Sequence, residues 1–106
     1  MQFTAFLHLF ARPNWLALDR PARREIAAAA TQHALSGGAV QLRFFDAEAF
    51  HATISDVAML SADSPEQYYF AIERLRDTPL FTKPYFTLVN IIPTFENGFE
   101  AFENAA

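Results

Sequence analysis

An α+β fold with the element order β-α-β-β-α-β is predicted by three features of this 106-residue chain. Its strand-like segments are apolar on both faces. Two helices open on clear capping patterns. The alternation of strands and helices is interrupted by no repeat, low-complexity tract or flexible linker. This order is the ferredoxin-like split βαβ arrangement, a four-stranded antiparallel sheet with both helices on one face because crossovers are right-handed. The opposite face of the sheet then lacks a cover.

The first strand, residues 2–10, sets Phe3, Ala5, Leu7 and Leu9 against Thr4, Phe6, His8 and Phe10. Successive strand residues point to opposite sides, so neither side suits water. The strand ends at Arg12-Pro13, where proline removes a donor and restricts its predecessor. Trp15–Leu18 follows as an apolar connector. Asp19 is placed as an N-cap with Pro21 in the first turn, and the helix runs to about Leu35 before Gly37-Gly38. Ala22, Ile26, Ala29 and His33 recur at helical spacing as its inner face, with His33 in the last turn beside the helix C-terminus. The alanine run 27–30 implies close approach to the sheet.

Strands at 39–45 and 54–61 flank a connection, Asp46–Thr53. Ser64-Pro65-Glu66-Gln67 combines an N-cap, a proline at the first helical position and a reciprocal capping pattern. Tyr68, Ala71, Ile72 and Leu75 form this helix's apolar stripe, and Asp77-Thr78-Pro79 ends it. Phe70 falls on the opposite side. The fourth strand, 84–92, stops at Pro93, with Tyr85, Val89 and Ile91 opposing Phe86, Leu88 and Ile92.

Composition narrows the function classes. The chain reads as one domain, and a hydrophobic content of 52% excludes disorder. A net charge of −4 offers no basic stripe for nucleic acid. The absence of Cys removes disulfides and thiolate chemistry and suits the cytoplasm. Apolar runs are too short to span a bilayer, and the N-terminus lacks a signal peptide's basic start, so no membrane partner is expected. Twelve Phe in so small a domain point to an interface or a pocket.

Two-fold pairing with a second copy is the simplest cover for the open sheet face. Burying about 600 Å² of apolar surface per copy contributes roughly 15 kcal/mol before association and ordering costs. A homodimer is therefore expected. Residues 95–106 read as a C-terminal arm, with Phe95, Phe99 and Phe102 at helical spacing and Glu96, Glu100 and Glu103 as its charges. Asn97-Gly98 breaks any helix before Phe99. The basic start of the first helix (Arg20, Arg23, Arg24), on the same chain or its partner, is the expected docking place.

Symmetric pairing of the middle hairpin sets Arg43 opposite Asp56, Leu42 opposite Val57 and Val40 opposite Met59. Val40, Leu42, Phe44, Val57 and Met59 then form an apolar face toward the helices. His8, Arg43 and Asp56 share the other face. A His oriented by a carboxylate can act as general base, and an Arg can hold an anionic or enolate oxygen. A cross-strand ion pair beside a satisfied buried His is the structural alternative. Asp46, Glu48 and His51 read as a solvated turn rather than a metal site. No phosphate loop, dinucleotide fingerprint, serine elbow or zinc-protease pattern occurs.

Several stretches resemble the darcynin family of small bacterial proteins. They are Trp15-Leu16-Ala17-Leu18, Phe45–His51, Ser55-Asp56, Gln67–Thr78, Pro84-Tyr85-Phe86, Ile91-Ile92-Pro93 and Glu96-Asn97-Gly98-Phe99. The resemblance carries over no catalytic residue. It implies a ferredoxin-like chain similar to the dimeric α/β-barrel superfamily, whose members include cofactor-free monooxygenases, lactone isomerases, polyketide cyclases and haem enzymes. The expected protein is a cytoplasmic homodimer binding a small, partly apolar aromatic or polyketide-like molecule. It would carry out isomerisation, cyclisation or oxygenation without cofactor or metal. His8 would serve as base, Asp56 as its orienter and Arg43 as anion holder, with Trp15, His51, Tyr68, Phe6 and Phe45 against the ligand. The rival reading is a non-catalytic dimeric module.

Overall fold

The computed structural model describes residues 1–105. Its elements are β1 (Phe3–Ala11), α1 (Pro13–Leu16), α2 (Arg20–Ala34), β2 (Val40–Asp46), β3 (Asp56–Ala62), α3 (Pro65–Arg76), α4 (Pro79–Thr82), β4 (Phe86–Phe95) and α5 (Gly98–Ala105). The strands form one antiparallel sheet in the order β2-β3-β1-β4. The ferredoxin-like α+β fold is the one the sequence predicts. Leu7 and Leu60 from the sheet and Leu75 from α3 are its largest fully buried side chains.

Both long helices start where their caps dictate. Asp19 accepts a hydrogen bond from the Ala22 amide at 2.8 Å, and Ser64 accepts one from the Gln67 amide at 3.2 Å. The reciprocal arm of the second cap does not form: the buried Gln67 Oε1 finds no partner among the described residues. The Ser64 oxygen therefore caps α3 alone, and Ser64→Ala is expected to cost about 1 kcal/mol, read as a lower thermal midpoint.

Ala30 and Ala34 are the residues α2 buries, flanked by half-buried Arg23, Ile26 and Ala27. The predicted inner stripe is thus rotated, and Ala29 and His33 face solvent. At that helix end Arg74 of α3 donates to the carbonyls of Ala34 (3.1 Å) and Ser36 (3.2 Å), which ties the Ala34 end of α2 to α3. The chain leaves α2 through Gly37 (φ 97°) and Gly38 (φ 74°), a backbone conformation that side chains disfavour.

The hairpin pairing differs from the symmetric one. Val40 lies opposite Ala62, Leu42 opposite Leu60 and Arg43 opposite Met59, a shift of three residues. The His51 ring takes the amides of Thr53 (3.2 Å) and Ile54 (2.8 Å), folding those residues into the connection. Ser55 bonds to β1 through its amide to the Leu9 carbonyl (2.9 Å). β3 consequently starts at Asp56, and the odd shift exchanges its faces. Ala58, Leu60 and Ala62 meet the helices, whereas Val57 and Met59 join Phe6, His8, Arg43 and Phe45 on the open face.

β4 runs through Pro93 to Phe95 instead of stopping before it. It is an edge strand, where a missing N–H is tolerated. Its pairing with β1 shifts between His8 and Leu9, leaving Val89 as an extra residue. That bulge puts Phe86 and Leu88 on the same side as Ile91, contrary to simple alternation. α5 begins directly after Asn97 (φ 55°) and buries none of its residues. Phe99 (77% exposed) and Phe102 (64%) do not dock on α2 of their own chain, and Phe70 is likewise uncovered.

Candidate functional site

A cavity of about 590 Å³ opens where the end of β1 and the start of β3 meet α1, α2 and the β2–β3 connection. Its walls are local consequences of the sequence. Pro13 starts α1, a single turn that carries Trp15 onto the end of the sheet. Arg23 of α2 holds that turn, donating to the carbonyls of Leu16 (2.7 Å), Leu18 (3.1 Å) and Trp15 (3.2 Å). The indole then packs on Phe86 (5.0 Å between centroids) and Tyr85 (5.4 Å). Phe44, Ile54 and Leu80 complete the apolar wall.

The polar end is acidic. Carboxylate oxygens of Asp46, Glu48 and Asp56 lie within 4.8 Å of one another. Asp46 pairs directly with Asp56 across the hairpin, and Glu48 reaches in from the connection. Asp56 accepts a hydrogen bond from the Ser55 hydroxyl at 2.8 Å, and that hydroxyl oxygen accepts the Ala11 amide at 2.7 Å. Burial pushes the Asp56 carboxyl above its ordinary range. The Ser55 bond opposes this, and the charges of Glu48 and Asp46 add to it.

His51 also lines the cavity. Its Nδ1 accepts two backbone amides, so the neutral ring carries its proton on Nε2 as a donor. A carboxyl group shifted toward neutrality, an imidazole N–H and an aromatic wall suit proton transfer on a small apolar molecule.

Three of the sequence-predicted site residues, Trp15, His51 and Asp56, converge here. The predicted trio does not. His8 and Arg43 lie on the far side of the sheet from Asp56, because the three-residue shift moves Asp56 to the helix face. Arg43 sits over the Phe45 ring at 5.1 Å. Phe6 shares that open face. Tyr68 packs against Phe3 with ring centroids 5.0 Å apart, at the opposite end of the sheet from the cavity. Asp46 and Glu48, which the sequence suggests as part of a solvated turn, join the site together with Arg23, Phe44 and Phe86. Only the true hairpin register, which sets Asp46 against Asp56, would have exposed the acidic cluster.

The raised carboxyl predicts a stability trend. Folding favours protonated Asp56, so its contribution is fully present below the unfolded carboxylate range and is lost as pH rises through the higher folded value. Asp56→Asn removes that loss and retains an acceptor for Ser55. The variant should melt above the parent near neutrality, with the gap closing in acid, as thermal melts across pH would show.

The family model for Darcynin, a domain of unknown function, matches residues 1–104. Darcynin of Chromobacterium violaceum is 52% identical over 64 residues, spanning 60% of this chain and 81% of that protein. A darcynin homolog of Streptomyces avermitilis is 32% identical over 98 residues, 91% of this chain and 80% of that one. Among solved structures, chlorite dismutase from Candidatus Nitrospira defluvii in complex with imidazole superposes with a TM-score of 0.74 at 17% identity, over 96% of this chain and 43% of that one. A heme-binding protein from Thermus thermophilus gives 0.72 at 17%, over 96% and 44%. The chain spans about two-fifths of these structures, and at such identity the likeness is one of fold. With its family match running from residue 1 to residue 104, the chain belongs to the darcynin family.

Proposed function

We propose that the protein is a cytoplasmic homodimer in which each copy binds a small, partly apolar aromatic molecule in the cavity at the end of its sheet. The reaction is a cofactor-independent proton transfer, an isomerisation or cyclisation. The observation that carries this is the convergence of Trp15, His51 and Asp56 on a cavity of about 590 Å³, within the range of small-molecule sites. Asp56 moves the proton. The His51 N–H stabilises oxygen charge that develops in the transition state. Trp15 and Phe86 stack against the ligand and exclude water.

The dimer is supported by the open sheet face. Phe6, Phe45, Val57, Met59 and Ile92 occupy it, and Phe45 and Ile92 are each about two-fifths exposed. His8 and Arg43 lie in that face, which favours a role for them in pairing rather than in chemistry. Tyr68 serves the core, where burial pushes its phenol up and nearby Arg76 opposes this.

Haem, bound by one structural neighbour, does not suit this cavity. Its propionates would need cationic partners, whereas the polar end of the lining is acidic, with Asp46, Glu48 and Asp56. Arg23, the sole Lys or Arg of the lining among the described residues, already donates to three backbone carbonyls.

Native mass spectrometry of the purified protein tests the proposal. A dimer that takes up aromatic fragments one per chain, with uptake lost in Ala27→Phe, is expected, because Ala27 lines the cavity from α2. A dimer that takes up none, or equal uptake by the filled variant, would overturn the binding role. A monomer at micromolar concentration would overturn the assembly.

A further inference from the structure

We infer that the cavity takes an organic cation, an amine or quaternary ammonium whose charged head lies among Asp46, Glu48 and Asp56 and whose apolar body rests on Trp15, Phe44 and Phe86. This rests on the reading of the cavity as a small-molecule site and names the ligand's class.

The free charge of the lining has one sign. Three carboxylates face the space, and the guanidinium of Arg23 is committed to the carbonyls of Trp15, Leu16 and Leu18. The backbone enforces the crowding. Asp46 and Asp56 are directly paired across β2 and β3, an arrangement of like charges that weakens a hairpin. Asp56 is half-buried as well, which adds to the cost of its charge. A fold that holds such a set together gains stability from a ligand that brings a positive charge to it.

The wall supplies the second half of the recognition. Aromatic faces are electron-rich and attract a cation, most strongly in the case of Trp. Trp15 is held by Tyr85 and Phe86, so its face is positioned before the ligand arrives. Phe44 lies on the helix side of β2 yet is 50% exposed, because it borders the cavity instead of the core. A bare metal ion would use the carboxylates and leave this wall idle. An anion would be repelled by the acidic end, and a neutral ligand would gain nothing from it.

Trp15 is the chain's single tryptophan, so its fluorescence reports on the cavity directly. Three phenyl compounds of matched size are titrated: phenethylammonium, 2-phenylethanol and phenylacetate. The cation should bind about tenfold or more tightly than the alcohol, with the carboxylate weakest. In a variant combining Asp46→Asn with Glu48→Gln, both at exposed positions, that preference should shrink several-fold, with Asp56 the one carboxylate left, while alcohol binding persists. Alcohol or carboxylate binding as tight as the cation's would overturn the inference and leave the cavity reading standing. An unchanged preference in the double variant would do the same. If none of the three produces a saturable change, the cavity reading itself fails and the inference with it.

Discussion

Phe6→Asp is expected to turn the proposed dimer into a monomer while leaving the fold intact. Phe6 sits in a central strand with Met59 and Ile92 beside it on the open face. The basic groups of that face are His8, two residues along β1, and Arg43, a strand further on beside Met59. In a face-to-face dimer the new charge would be buried amid Met59 and Ile92, and a buried charge without a partner costs about 3–5 kcal/mol. That weakens association by more than about a hundredfold. Phe6 takes no part in the helix-side core, so circular dichroism should change little. Sedimentation equilibrium decides the matter. A variant that dimerises as the parent does would show that the open face is not where two copies meet.

The second large effect belongs to the core. Leu60 is fully buried at the centre of the sheet, between Ala5 and Leu42 on the neighbouring strands. Much of the buried cluster it belongs to is alanine: Ala30 and Ala34 from α2, Ala71 from α3, Ala5 from β1, Ala58 and Ala62 from its own strand. Such short side chains cannot swing into a void. Leu60→Ala should therefore fall in the upper part of the range for such truncations, about 3–5 kcal/mol. In a domain of this size that lowers the thermal midpoint by on the order of 15 °C or more. Met59→Ala, one residue away on the open face, should cost the isolated chain far less. The contrast also tests the hairpin register, since symmetric pairing would place Met59 in the core and Leu60 outside. Equal losses for the two would contradict the pairing described here.

How far the sequence could be read depended on what specified each element. Helix starts were legible because Asp19 and Ser64 cap through their own side chains, a strictly local event. The strand order followed from element order and handedness. Hairpin register was not legible, because it is set by the connection. His51 folds Thr53 and Ile54 back onto itself, and Ser55 commits to β1, an element 44 residues earlier in the chain. Periodicity could not reveal either bond, and with β2 and β3 apolar on both faces the wrong pairing looked equally well sorted. That single shift split His8 and Arg43 from Asp56. It also explains why Asp56 is not expected beside Asp46 and Glu48. Trp15 and His51 were found because a lone aromatic and an imidazole in short connections between strands and helices tend to end up at the sheet's rim.

The site described here stands or falls on where small molecules settle. Crystals of the purified protein soaked with a set of aromatic fragments measure this most directly. Fragment density should gather between Trp15 and Asp56, with a polar group of the fragment at hydrogen-bond distance from Asp56 or the His51 Nε2. Fragments found only on the sheet's open face or scattered over the surface, with the space beside Trp15 filled by ordered water alone, would contradict the account.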